Sequence, residues 1–329
     1  MNCSNFSPIV IALNKKIDES SQDALFQLKK KLKILEKSVE SFQLKKIGHF
    51  GTLDPFAEGM LLVGINGGAR LTELSHKYNR KKYLALGRLG IQTDSGDLTG
   101  RILQSDEKSE FFQNGLKDIS KELIQVAVNS LLGEYWQAPP FFSAAKFQGR
   151  KLCDYARDGV KIHKDKVKRT IYKIEIKECH FPNVLFYCEV STGTYVRTLF
   201  EDIANKIGTI GHLVRLQRIG IGNIDLDKSI TIEYFNNLTF EEIFSKIALP
   251  IETVIQIPDY QLDYEAAMKF CCGQSVMINP PFHGDAWIFV MDNGEKIILG
   301  VGSILEENRL KAGVVFESSD RWLKKQKLK

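Results

Sequence analysis

The chain has 329 residues, with 45 Lys and Arg against 40 Asp and Glu, a formal net charge of +5, and 43% hydrophobic side chains. That length buries a substantial core and leaves room for one large and one small domain, and the composition is ordinary for a globular protein. No apolar run is long enough to span a bilayer, and Met1–Pro8 lacks the charged-then-apolar pattern of a secretory leader, so the expectation is a cytoplasmic protein with no membrane partner.

Ile9–Leu13 reads as a short strand. Ser20 or Ser21 then caps a helix whose apolar residues fall at Leu25, Leu28, Leu32, Leu35, Val39 and Phe42, steps of three and four that bury one stripe. A glycine-flanked turn follows, Gly48-His49-Phe50-Gly51-Thr52-Leu53-Asp54-Pro55, and it feeds an apolar strand over Met60–Ile65. Next come a short helix, Ala69–Tyr78, a strand, Lys82–Gly90, and a polar turn, Thr93–Asp97. A second amphipathic helix covers Ile119–Leu132 and closes at Gly133, before Ala138-Pro139-Pro140 breaks regular structure. Ile171–Phe181 and Val184–Ser191 alternate like paired strands around Pro182-Asn183. Val196–Ile207 is helical and stops at Gly208, and Leu213–Ile219 is another strand.

Strands joined by tight turns, with helices at irregular intervals, predict an α+β fold: a mixed, mostly antiparallel sheet flanked by helices over residues 1–248. From about Leu249 the texture changes to short strands with Gly and Pro turns (Pro280-Pro281, Asn293-Gly294, Gly300, Gly302), which predicts a small β-rich domain over 249–329.

Charge is unevenly placed. Lys29–Lys46 holds seven lysines against Glu36 and Glu40, Lys146–Lys173 holds ten Lys or Arg against three Asp, and Arg321–Lys329 adds five more. Three basic clusters fit a polyanionic partner. The six cysteines (Cys3, Cys153, Cys179, Cys188, Cys271, Cys272) form no Cys-x-x-Cys pair and have no histidine at ligand spacing, so a reduced protein without structural zinc is expected.

Asp54 is the group that draws attention, because a carboxylate that needed only solvation would not require a short, stiff loop at the rim of a core. Tyr83 opens a strand beside Lys81 and Lys82. Tyr195 and Arg197 stand two apart where a glycine turn enters a helix, a place suited to holding an anion.

In this order the blocks resemble the TruB family of tRNA pseudouridine synthases. Gly48-His49-x-Gly51-Thr52-Leu53-Asp54-Pro55-x-Ala57-x-Gly59 resembles the family's catalytic motif, and Lys82-Tyr83 its strand tyrosine. Ser143-Ala144-x-Lys146, Ala156-Arg157-x-Gly159 and Gly193-Thr194-Tyr195-x-Arg197-Thr198-Leu199 match further blocks, and the likeness runs from about Ile9 to Ile219. Lys16, Phe142, Cys153 and Gln217 depart from the pattern.

The resemblance implies isomerisation of the uridine at position 55 in the T loop of tRNA, with no metal or cofactor, by a monomer that binds the T-arm stem-loop. Asp54 would attack C6 of the uracil or C1′ of the ribose, or the reaction would run through a glycal. Arg197 would pair with Asp54 and hold it ionised and oriented. Tyr83 would stack on the target base and could take the C2′ proton in the glycal route, and Tyr195 and Leu216 would line the pocket. His49 would fill the space of the flipped base. Lys15 and Lys146 would be further substrate contacts, the segment 146–173 would clamp the RNA backbone, and the C-terminal domain would be PUA-like. A non-catalytic tRNA-binding or RNA-chaperone protein on the same scaffold, or an enzyme acting on another RNA, are the alternatives.

Overall fold

The computed structural model describes residues 8–39, 42–115, 119–316, 319, 322 and 323. Seven strands carry the main sheet: β1 (Ile9–Lys15), β2 (Glu58–Ile65), β3 (Lys81–Leu89), β4 (Gly133–Gln137), β5 (Val167–His180), β6 (Asn183–Val190) and β7 (Gly211–Ile221). Their spatial order is β1-β2-β7-β3-β6-β5-β4, with Ile47–His49 added beside β2 and Ile224–Asp225 beside β7. Every pairing is antiparallel except β7 on β2. A mixed, mostly antiparallel sheet is therefore the frame, as the sequence predicts.

The three longest helices among the described residues brace this sheet. Helix α1 (Ser21–Ser38) is capped by Ser20, whose hydroxyl accepts from the Asp23 amide while the Asp23 carboxylate accepts from the Ser20 amide. The expected apolar stripe packs on β1 and β2, but the helix stops at Ser38; Phe42 reaches the same core from the following coil, its ring 4.9 Å from that of Phe240. Helices α2 (Lys121–Asn129) and α3 (Val196–Lys206) pack on one face of the sheet with Tyr83, Tyr135, Phe186 and Leu216. The Ala69–Tyr78 helix divides into a 3₁₀ turn over Asn66–Leu71 and an α-helix over Thr72–Tyr78.

A second sheet of five strands follows, in the order Asp259–Gln261, Gly284–Asp292, Glu295–Leu305, Arg309–Val315 and Val276–Met277. It is not purely β: Asp263 caps a helix over Tyr264–Cys271, its carboxylate oxygen accepting from the Ala266 amide at 2.8 Å. Trp287, Val301 and Phe316 pack in one buried cluster with Val10, Met60 and Leu62 of the main sheet, and Lys77 and Tyr78 both bond Asp285 at 2.8 Å. The basic tail lies outside the described residues except at Trp322 and Leu323.

Candidate active site

Asp54 stands on the loop between Phe50 and β2, and the loop is fastened at each peptide. The Gly51 and Thr52 carbonyls accept from the Arg218 guanidinium at 3.1 and 3.4 Å. The Leu53 carbonyl accepts from the Ser21 hydroxyl at 2.9 Å, and the Leu53 amide donates to the same oxygen at 2.8 Å. The Asp54 carbonyl accepts from the Ala57 amide at 3.1 Å, and the Pro55 carbonyl from the Asp18 amide at 2.9 Å. Five successive carbonyls are thus engaged, which fixes the backbone beneath the Asp54 side chain.

Arg218 is wholly buried on β7, opposite Tyr83 on β3, and also donates to the Met60 carbonyl at 2.6 Å. The sequence patterns single out its neighbour Gln217 and pass over Arg218 itself. Gly51 has φ near +130°, and a Cβ there would lie 2.2 Å from the Lys81 Nζ, so the loop closes onto a buried lysine. Burial, with Arg218 nearby, pulls the Lys81 pKa down to about 7.

The Asp54 carboxylate, 31% exposed, accepts from the Arg197 Nε at 2.9 Å. Arg197 is 3% exposed on the first turn of α3 and spends its other nitrogens on the Ser95 carbonyl and, at 2.8 Å, the Phe142 carbonyl. Its Nη1 also lies 3.6 Å from the buried Asp97, a second carboxylate that sequence reading placed only within a polar turn. Asp97 is held in turn by Ser95 and Thr99. The guanidinium therefore ties four chain segments together, and a charged donor buried this way is oriented strongly.

Asp54, Arg197 and His49 line one cavity of about 590 Å³, with Thr52, Asp97, Phe142, Ser143, Lys151, Cys153 and Arg157 among its other walls. That volume is in the range of ligand pockets. The His49 pKa falls to about 4, chiefly through burial and then through Arg218 and Lys81, so its imidazole is neutral at pH 7. Its Nδ1 accepts from the Gly51 amide at 3.3 Å.

The other expected residues are placed differently. Tyr83 is buried in the core beneath the loop with Leu53 and Leu216, and burial raises its phenol pKa. Tyr195 is the residue before α3, its backbone held by Gln137. Leu216 is buried on β7 opposite Ala85. Lys15 is fully buried and its ammonium donates to the carbonyls of Lys16, Glu19 and Pro55, at 2.7, 2.6 and 3.4 Å; burial lowers its pKa to about 8. It faces the inside of the Lys15–Glu19 turn. Lys146 is exposed in a small hairpin (Lys146–Phe147 with Arg150–Lys151); it does not line the cavity itself, but its partner across the hairpin, Lys151, does.

Among the described residues no group of His, Cys, Asp and Glu is arranged to hold a metal ion, and no helix is long and apolar enough to cross a membrane.

Comparison with known proteins converges on one family. TruB family pseudouridylate synthase (N terminal domain) matches residues 39–196, and tRNA pseudouridylate synthase B C-terminal domain matches residues 197–256. A tRNA pseudouridine synthase B of Burkholderia pseudomallei (strain 668) is 32% identical over 271 residues, 82% of this chain and 83% of its own. One of Vibrio cholerae serotype O1 (strain O395) is 28% identical over 311 residues, 92% and 93% of the two chains. In solved structures, a chain of a Cbf5-Nop10-Gar1 complex has the same fold, with a TM-score of 0.64 at 22% identity over 94% of this chain and 83% of that one.

Proposed function

The chain belongs to the TruB family of pseudouridine synthases acting on tRNA, and from that premise we propose that it isomerises uridine 55 of the T loop with Asp54 as its one essential carboxylate. The observation that carries the reading is the ion pair of a half-buried Asp54 with a buried Arg197 at the floor of a cavity. Isomerisation breaks the bond from C1′ to N1, turns the uracil, joins C1′ to C5, releases the C5 proton to water and returns a proton from water to N1. It is redox-neutral and needs one well-placed carboxylate.

Asp54 acts as nucleophile at C6 or C1′, or as the group that steadies C1′ in a glycal route. Arg197 keeps its second oxygen turned into the cavity. Tyr83 stays a neutral phenol, which suits stacking under the base. Its raised pKa disfavours a role as the base for the C2′ proton. A neutral His49 enters the gap left by the flipped nucleotide without carrying a charge into the stack. Lys146, with Lys151 and Arg157 at the cavity rim, neutralises phosphates, and the five-stranded sheet provides a PUA-like RNA contact for a monomeric enzyme.

The test is tritium release from a 5-tritiated T-arm stem-loop. Asp54→Asn is expected to lose more than about 10³-fold in turnover with RNA affinity held within about threefold. Wild-type turnover by this variant would refute the role of Asp54. Mapping pseudouridine in cellular tRNA with and without the gene checks the position: loss confined to a site other than 55 refutes the assignment.

A further inference from the structure

Helix α3 carries Arg197 on its first turn, yet no side chain of its own caps its N-terminus. The residue at that cap, Tyr195, is held from outside. Its amide donates to the Gln137 Oε1 at 2.7 Å, and its carbonyl accepts from the Gln137 Nε2 at 2.9 Å. A side-chain amide thus makes the two bonds that a neighbouring strand would make. The second hydrogen on that nitrogen goes to the Tyr135 hydroxyl at 3.1 Å, and Tyr135 donates to the Asp202 carboxylate. Reversing the amide would set oxygen against oxygen and N–H against N–H, so the network admits one orientation.

Gln137 and Tyr135 are the inward-facing residues of β4, both nearly fully buried. They grip α3 at Tyr195 and Asp202, seven residues or about two turns apart on one side of the helix. The chain leaving β4 reaches Phe142, whose carbonyl takes an Arg197 nitrogen. One edge strand therefore holds the arginine-bearing helix from outside and supplies a wall of the arginine's pocket.

We propose that Gln137 is a positioning residue for catalysis: through the Tyr195 backbone it sets the depth and rotation at which Arg197 meets Asp54, with Tyr135 fixing the helix one grip further along. The proposal rests on the reading of Asp54 and Arg197 given above.

The test uses the full-length enzyme and a T-arm stem-loop, with single-turnover rates and RNA dissociation constants measured on protein shown folded by its thermal melt. Gln137→Met keeps the volume and removes all three bonds. Its turnover is expected to fall about 100-fold, the scale of a small misplacement of a catalytic group, with the dissociation constant within about twofold. A role in stability alone would lower the melting temperature and leave the rate of the folded fraction unchanged. Turnover within about threefold of wild type, or a dissociation constant rising in step with the fall in rate, overturns the proposal. Should Gln137→Met not fold, Tyr135→Phe, which removes the Asp202 tie and one of the three Gln137 bonds while leaving both bonds to Tyr195, carries the test: a lowered rate at unchanged affinity supports the bracket, and a wild-type rate overturns it. Asp54→Asn is run alongside. An active Asp54→Asn would refute the reading of the site, whereas an inactive one beside a fully active Gln137→Met would refute the bracket alone.

Discussion

The loop that carries Asp54 and the basic segment that borders the same cavity are built on opposite plans. From Gly51 to Pro55 each carbonyl has a donor, and two of those carbonyls share one buried guanidinium. Across the cavity, Lys146–Lys151 is a two-residue-per-strand hairpin with exposed side chains. Its surroundings are tied by exposed pairs such as Arg150 with Asp158 and Arg157 with Asp154. Exposed pairs contribute little to stability. On the function proposed here, the difference follows from what each region must do. A reacting carboxylate has to be fixed before substrate arrives, because reorganisation would cost rate. Cations that meet a phosphate backbone gain their partners from the ligand, so rigidity in advance brings them less.

This contrast can be attacked first at Arg218. Arg218→Met removes the donor from three carbonyls, the buried one of Met60 and the part-buried ones of Gly51 and Thr52. It should destabilise the protein by about 2–4 kcal/mol, since a buried acceptor is left without a partner and the loop loses two of its ties. Urea unfolding checks this; a loss below about 1 kcal/mol would mean that the loop holds its shape without the guanidinium.

Lys81 gives the next effect. Its folded pKa, about 7, lies below the ordinary 10.5, so the unfolded chain binds the extra proton between those values. Stability contributed by keeping the amine neutral is therefore absent below pH 7 and grows as pH rises towards 10.5. Lys81→Met should stabilise the protein at neutral pH, on the order of a few kcal/mol. It should also flatten the rise in stability from about pH 7 to 9, leaving the smaller slope due to Lys15 above pH 8. Parallel pH–stability curves for the two proteins would sink this account.

Gly51→Ala should cost about 1–3 kcal/mol, from the positive φ and the contact with the Lys81 Nζ. In a Lys81→Met background the cost should change by at least about 0.5 kcal/mol, because the two sites touch. Strict additivity in a double-mutant cycle would show that backbone strain alone accounts for the loss.

Much of the site was legible in the sequence because its signals are local. Glycines flank Asp54, a glycine turn precedes Arg197, and the Leu25–Leu32 stripe marks α1. What stayed hidden depends on partners far along the chain. The grip of Ser21 on Leu53, of Arg218 on Gly51 and Thr52, and of Gln137 on Tyr195 spans 32, 166 or more, and 58 residues. Such bonds leave no period to read. Lys15 shows the converse: a lysine in a motif-like place invites an RNA contact, while in the fold its ammonium serves three carbonyls. The helices at Ile232–Asn237, Ile251–Val254 and Tyr264–Cys271 were missed because one or two turns are too short for an apolar stripe to declare itself.

The smallest stability effect belongs to the basic segment, and there the contrast is sharpened. Lys151→Ala and Lys161→Ala alter exposed side chains, so each should change stability by no more than about 0.5 kcal/mol. Each should nonetheless weaken binding of the T-arm stem-loop and lower the slope of log affinity against log salt by about one for each phosphate no longer neutralised. Single-turnover rates at saturating RNA should be unchanged, since neither residue holds Asp54. Fluorescence titrations from about 50 to 200 mM salt give the slopes. If instead a lysine variant lowered the saturated rate and left the salt slope intact, the segment would be part of the catalytic mounting, and the division between a fixed loop and a ligand-completed rim would fall.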